Sequence, residues 1–262
     1  MALSTQRRTE ILDLVRRQGF VATDELVRRF HVTPQTIRRD LNDLAAESLI
    51  ERFHGGAARP SSVENLAYPQ RRVMQQAEKQ RIGALVARHV PDRASLFINI
   101  GTTTEAVAEA LLGHEGLHVV TNNLNVAQRL HAKEDFRVII AGGIVRPSDA
   151  GVVGEATVDL IRQFKVDIGI IGISGIDLDG ALLDFDYREV RVAQAIIENA
   201  RRIFLTADHT KFGRNAMVRL GSIEQIDALF TDRAPPAPLA KRLREADVAV
   251  HVARSGDSSE AA

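Results

Sequence analysis

The chain has 262 residues, with 34 Lys and Arg against 34 Asp and Glu and no formal net charge. That length predicts one or two domains, and the balanced charge excludes a wholly basic nucleic-acid coat while allowing a local basic patch. No cysteine is present and 45% of residues are hydrophobic, which excludes disulfides, thiolate catalysis, Cys-type zinc sites and iron–sulfur clusters in an otherwise ordinary globular composition.

The N-terminal segment MALSTQRRTEILDLVRRQG carries charge throughout and lacks the apolar core of a signal peptide. Residues 1–59 hold ten arginines, no lysine and eight acids, so basic character there comes from clustering. Three helices are predicted. The first runs from about Thr5 to Gln18, with Ile11, Leu12 and Val15 as its stripe and Gly19 at the C′ position. The second follows Thr23, an N-cap type, with Asp24 and Glu25 in its first turn and Leu26, Val27 and Phe30 on its buried side. The third follows Thr33, with Pro34 at the favoured first position and Ile37, Leu41 and Leu44 repeating at helical spacing. A short strand at Leu49–Phe53 and a turn at Gly55-Gly56 suggest a β-wing.

A polar, proline-marked linker begins at Arg59. An amphipathic helix is expected over Met74–His89. Strands at 95–100, 117–121, 136–141, 166–173, 202–207, 228–231 and 248–252 then alternate with helices at 104–112, 124–131, 155–164 and 187–200. β-branched runs alternating with helices predict a mostly parallel sheet covered on both faces. The most apolar run, Gly169–Ile176, is too short to span a bilayer. The expected organisation is α/β: a head over residues 1–58, a linker over 59–73, a larger domain over 74–253 and a disordered tail over 254–262. A cytoplasmic protein without a membrane partner is expected.

The segment ATDELVRRFHVTPQTIRRDLNDL has the layout of a helix-turn-helix. With Ile37, Leu41 and Leu44 facing the core, Gln35, Thr36, Arg38 and Arg39 mostly face outward. Gln pairs with adenine edges, Arg with guanine, and Thr with phosphate or the thymine methyl. Arg28, Arg29, Thr33, Arg52 and His54 are candidates for backbone contact. Double-stranded DNA is the implied partner, against the simpler reading of a solvated arginine face.

A second constellation suits an anion. Gly101-Thr102-Thr103-Thr104 lies between an apolar strand and a helix, offering amides, hydroxyls and a helix N-terminus to a phosphate. It is neither a Walker A loop nor a GxGxxG fingerprint, and Thr104 serves equally as a plain N-cap ahead of Glu105. Asn122-Asn123 and Gly142-Gly143 also follow strands, where ligands of open α/β sheets bind. Lys211 and Arg214 follow the strand that ends at Ala207, Lys211 as a point charge for phosphate and Arg214 as a second grip or a surface cation. Among Asp177, Asp179, Asp184, Asp186, Glu189 and Asp208, Asp179 is the candidate for ligand hydroxyls. The eight histidines show no metal-ligand spacing, so neither a metal nor a cofactor is expected.

PQTIRRDLNDL followed by HGGA closely resembles the winged helix-turn-helix of DeoR-type bacterial repressors, and NIGTTTEAVA, VTNNLNVA, IIAGG, GEAT, GISGID, DFDYREV and DHTKFGRNAMV continue the resemblance. It is strongest to the subgroup that governs glycerol 3-phosphate metabolism. The resemblance implies a DNA-binding head joined to an effector domain related in fold to ribose-5-phosphate isomerase and glucosamine-6-phosphate deaminase. It implies operator DNA, a phosphorylated polyol effector such as sn-glycerol 3-phosphate, and a homo-oligomer, a tetramer by family habit. It also implies phosphate contact by the threonine loop and by Lys211, and no catalytic residues. Fructose 1-phosphate asks for similar groups, and an isomerase carrying an appended head is the competing class.

Overall fold

The computed structural model describes residues 2–46, 49–53, 55–58 and 65–254. His54, the first part of the expected linker and the tail from residue 255 lie outside them. Two compact units divide the chain, Met1–Met74 and Gln75–Ala262.

The first unit runs α1 (Ala2–Gln18), β1 (Phe20–Ala22), α2 (Thr23–Phe30), α3 (Pro34–Ala46), β2 (Glu51–Phe53), β3 (Gly56–Ala58) and α4 (Tyr68–Val73). Its core joins Ile11, Leu14 and Val15 of α1 to Leu26 of α2 and to Ile37, Leu41 and Leu44 of α3. These are the stripes that the helical period predicts. Gly19, at φ +76°, ends α1. The turn between α2 and α3 is three residues long, with His31 left-handed at φ 52°.

Thr33 Oγ1 accepts the Thr36 amide at 3.2 Å, capping α3 as expected. Thr23 does not cap α2. It is the first helical residue, Ala22 occupies the cap position, and the Thr23 amide donates instead to Gly55 O at 2.7 Å. The wing carbonyl thus satisfies one of the free amides at the start of α2. β1 was not expected; it completes an antiparallel sheet in the order β1-β3-β2.

Part of the expected linker is the helix α4, started near Pro69. Gln75, at φ 51°, breaks it from the next helix. Met74 buries with Phe53 and Ala58, so it packs as part of the head.

The second unit runs α5 (Gln76–Ala87), β4 (Ser95–Ile98), α6 (Thr102–Ala110), β5 (His118–Thr121), α7 (Leu124–Leu130), β6 (Arg137–Ile140), β7 (Ile144–Val145), β8 (Val152–Val153), α8 (Glu155–Ile161), β9 (Val166–Gly172), β10 (Gly175–Ile176), β11 (Ala181–Asp184), α9 (Tyr187–Asn199), β12 (Ala200–Thr206), β13 (Val218–Ser222), β14 (Ala228–Thr231), α10 (Ala237–Glu245) and β15 (Ala249–Val252). Seven parallel strands form one sheet in the order β15-β14-β12-β9-β4-β5-β6. Ile82, Val86, Val107, Leu111, Val126 and Leu130 pack α5, α6 and α7 on one face. Val158, Ile161, Ile196, Leu239 and Leu243 pack α8, α9 and α10 on the other. Two small antiparallel sheets, β10-β11-β13 and β7-β8, were not expected.

From β4 the chain winds outward through β5 and β6, whereas β9 lies on the opposite side of β4. The winding reverses between β4 and β9. A crevice opens at such a reversal beyond the carboxyl ends of the strands, where ligands of open α/β sheets bind.

Candidate nucleic-acid interface and effector site

In the head, the two acids of α3 are held from behind. Arg7 Nε donates to Asp40 Oδ2 at 2.6 Å, with the Asp40 side chain almost fully buried. Arg8 pairs with Asp43 at 3.3 Å. With these charges answered by α1, the outer surface of α3 keeps Gln35, Arg38 and Arg39 exposed, with Thr36 half-buried. Arg28 and Arg29, in the last turn of α2, are exposed as well. This is a cationic helix surface of the kind that complements a phosphate-lined groove.

Three residues expected to contact DNA are otherwise engaged. Thr33 and Thr36 hydroxyls lie 2.9 Å apart and serve the helix start. Arg52 is half-buried, and its guanidinium donates to Asn42 Oδ1 on α3. Burial and the nearby Arg38 charge both lower its pKa from the ordinary arginine value. Arg52 therefore braces the wing against α3 and is not a free surface cation. His54 lies outside the described residues.

In the second unit, the loop after β4 meets the loop after β9 at the winding reversal. A Cβ on Gly101 would stand 3.9 Å from Gly172 Cα, and Gly101 itself lies at φ +152°. The 3.9 Å separation is ordinary van der Waals contact, so it is the positive φ that selects glycine. The first intrahelical bond of α6 runs from the Glu105 amide to Gly101 O. The amides of Thr102, Thr103 and Thr104 therefore precede the ladder and point out of the helix end. Thr104 Oγ1 donates to Asn99 O and to Gly101 O, both at 2.8 Å, so its hydroxyl holds the loop together.

Asn122 and Asn123 follow β5 and are almost fully buried. Asn123 Oδ1 caps α7 by accepting from the Asn125 and Val126 amides, and its Nδ2 donates to Glu105 Oε1 at 3.2 Å. Asn123 thus fixes α7 and Glu105, acting on the loop indirectly. Asn122 Nδ2 donates to Val152 O at 2.9 Å.

Lys211 closes a 3-10 turn, His209–Lys211, capped by Asp208 through the Thr210 amide. Asp208 is 1% exposed. Burial acts most strongly and would raise its pKa, yet Lys211, the Thr210 hydroxyl and Lys79 together pull it below the usual carboxylate range. Lys79 is buried on α5. The charges of two lysines from distant parts of the chain thus both act on one buried carboxylate. Lys79 was not expected: it reads in sequence as a polar position on an amphipathic helix, and no local spacing distinguishes it.

The other acids of the set are engaged in turns, loop bonds and ion pairs. Asp179 is exposed, and its Oδ1 accepts the Ala181 amide at 2.8 Å in the turn between β10 and β11. It is a turn residue, and its assignment to ligand hydroxyls is corrected on that ground. Asp184 accepts from Ser174 Oγ and the Phe185 amide. Asp186 and Glu189 belong to a network centred on Arg146, which also pairs with Asp149 at 2.6 Å. Burial works against the charge of Arg146, and Glu189 and Asp149 outweigh it and raise its pKa. Arg214 is buried, donating to Ser174 O at 3.2 Å and lying over the Phe185 ring. Arg146 ties the loop after β7 to the start of α9, and Arg214 ties the segment before β13 to the turns that follow β9 and β11. Their partners lie up to 40 residues away, beyond any local motif.

Among the described residues, no group of three or more His, Asp or Glu side chains could hold a metal ion. No described helix is long and apolar enough to cross a membrane.

Residues 7–63 match the DeoR-like helix-turn-helix domain and residues 74–233 match the DeoR C terminal sensor domain. The chain is 57% identical to the glycerol-3-phosphate regulon repressor of Escherichia coli (strain K12) over 92% of its own length and 96% of that protein. Identity to the protein of the same name from Haemophilus influenzae is 54%, over 87% of this chain and 89% of that one. A ribose 5-phosphate isomerase A structure from Neisseria gonorrhoeae overlays with a TM-score of 0.38 and 14% identity, covering 51% of this chain and 52% of that one. The chain belongs to the DeoR family of helix-turn-helix repressors, and is a regulator rather than an enzyme.

Proposed function

We propose that the protein represses genes of glycerol 3-phosphate metabolism in the cytoplasm and is released from its operator by sn-glycerol 3-phosphate. The observation that carries this reading is the 57% identity to a glycerol-3-phosphate regulon repressor along 92% of the chain. Gln35, Arg38 and Arg39 read base edges, while Arg28 and Arg29 hold phosphates. A homo-oligomer, a tetramer by resemblance, presents paired heads to half-sites about one helical turn or a multiple apart.

In the sensor unit the effector phosphate sits on the Thr102–Thr104 amides. Lys211 and Lys79 supply positive charge, and both act on Asp208. Helix-start amides and ammonium groups both complement a dianion.

Release follows from linkage. If effector and operator favour different states of the protein, each weakens the other's binding by the same factor. A coupling of about 1–3 kcal/mol corresponds to roughly 5–150-fold. The test is a gel-shift titration on a promoter fragment from a glycerol 3-phosphate operon. Release at lower concentration by sn-glycerol 3-phosphate than by fructose 1-phosphate is expected. Release by fructose 1-phosphate alone would reassign the effector, and indifference of the protein to the promoter would reject the reading.

A further inference from the structure

Two buried asparagines stand side by side at the winding reversal. β4 and β5 pair in parallel, Phe97 opposite Val120 and Ile98 opposite Thr121. Side chains alternate between faces along a strand. Phe97 and Val120 both enter the core under α8 and α9, whereas Ile98 enters the core under α5, α6 and α7. Asn99 extends β4, its amide donating to Ile170 O on β9 at 3.0 Å. Asn122 directly follows β5, and its backbone carbonyl accepts the Val152 amide at 2.7 Å. By alternation both side chains project onto the face of α8 and α9, at neighbouring register positions.

Each asparagine is 1% exposed, and in each the side-chain carbonyl oxygen, Oδ1, has no hydrogen-bond partner. The bond from Asn122 Nδ2 to Val152 O fixes which way that amide lies. Most other buried polar side chains at this crest have work within the fold, as the bonds of Thr104, Thr121 and Asn123 illustrate. Two adjacent buried acceptors without donors are costly to keep.

We propose that Asn99 and Asn122 form the hydroxyl-reading half of the effector site, their carbonyl oxygens accepting from the free hydroxyls of a polyol phosphate. This deepens the reading under Proposed function and rests on it. The chemistry divides the site in two. Amides and lysines suit the phosphate, which has no proton to offer a carbonyl when doubly ionised. Carbonyl oxygens suit the polyol end, whose hydroxyls are donors. Asn99 lies three residues before Thr102, the start of the phosphate loop. Both oxygens are shielded from solvent. Asn122 is held against Val152 by two bonds, and Asn123 is bridged to Gly151.

The test is Asn99→Leu in the full chain, a near-isosteric change that removes the acceptor. Removing an acceptor without a donor should raise the melting temperature of the free protein. Affinity for sn-glycerol 3-phosphate should fall about tenfold, while affinity for inorganic phosphate stays at the wild-type value. Asn99→Ala, measured alongside, should show the same split between the two ligands even if the leucine side chain does not fit. A variant that melts lower and binds both ligands unchanged would overturn the proposal, because Asn99 would then be structural. Equal weakening towards both ligands would overturn it too. Wild-type protein that takes up neither ligand would instead remove the effector reading beneath it.

Discussion

The exposed arginines of α3 owe their availability to α1. Asp40 and Asp43 would otherwise answer them, but Arg7 and Arg8 hold both acids. Arg38→Ala should therefore abolish tight operator binding in a gel shift while calorimetry finds effector affinity unchanged; loss of both would mean misfolding. The wild-type protein should also lose operator affinity steeply with salt, because arginine–phosphate contacts release counterions. At the other site, Thr103→Ala and Lys211→Ala should each give a protein that still represses but resists induction in a reporter assay. Normal induction in both would refute the phosphate pocket. Asp208 carries a sign that can be checked. Its folded pKa lies below the usual value, so it contributes stability above the ordinary carboxylate pKa and loses it as pH falls through the lowered one. Asp208→Asn should melt lower than wild type near neutral pH, and the difference should shrink on acidification; a constant difference would contradict the assignment.

Short-range elements follow local rules and were the most legible. α2 and α3 announce themselves by the Leu26 and Ile37–Leu41–Leu44 stripes and by Thr33-Pro34, and the structure keeps them. The seven-stranded sheet is legible for the same reason, since strands buried on both faces read as continuous β-branched runs. The small antiparallel strands were not. β7, β8 and β10 are two residues long, too short to show an alternation. α10 carried a signal that could have found it: Pro235-Pro236 before Leu239 and Leu243, four residues apart on the buried side. The long-range polar groups left no trace, because Lys79, Arg146 and Arg214 meet partners set by topology and not by spacing. Gly56 in the wing makes an element-scale prediction. A Cβ there would stand 2.4 Å from Val21 O and 2.5 Å from the Phe20 ring. Backbone cannot yield as a flexible side chain can, so Gly56→Ala should destabilise the head by about 2 kcal/mol or more in chemical denaturation. A change below about 0.5 kcal/mol would show that the wing relaxes freely.

At the scale of the molecule, two units carry two chemistries. One presents exposed arginines on α3; in the reading proposed above, the other offers helix amides and lysines to a small anion. In the proposed reading, what joins the two units is a coupling free energy. That coupling requires the effector to bind the DNA-competent and DNA-released states unequally. In the proposed site the effector's charge carries the recognition, since helix amides and lysines complement an anion and the asparagine carbonyls only add to it. The most direct measurement is an operator-affinity titration with sn-glycerol 3-phosphate and with glycerol, run in parallel on the full chain. The phosphorylated compound should weaken operator binding roughly 5–150-fold and glycerol should leave it unchanged; equal release by both would contradict an anion-reading sensor.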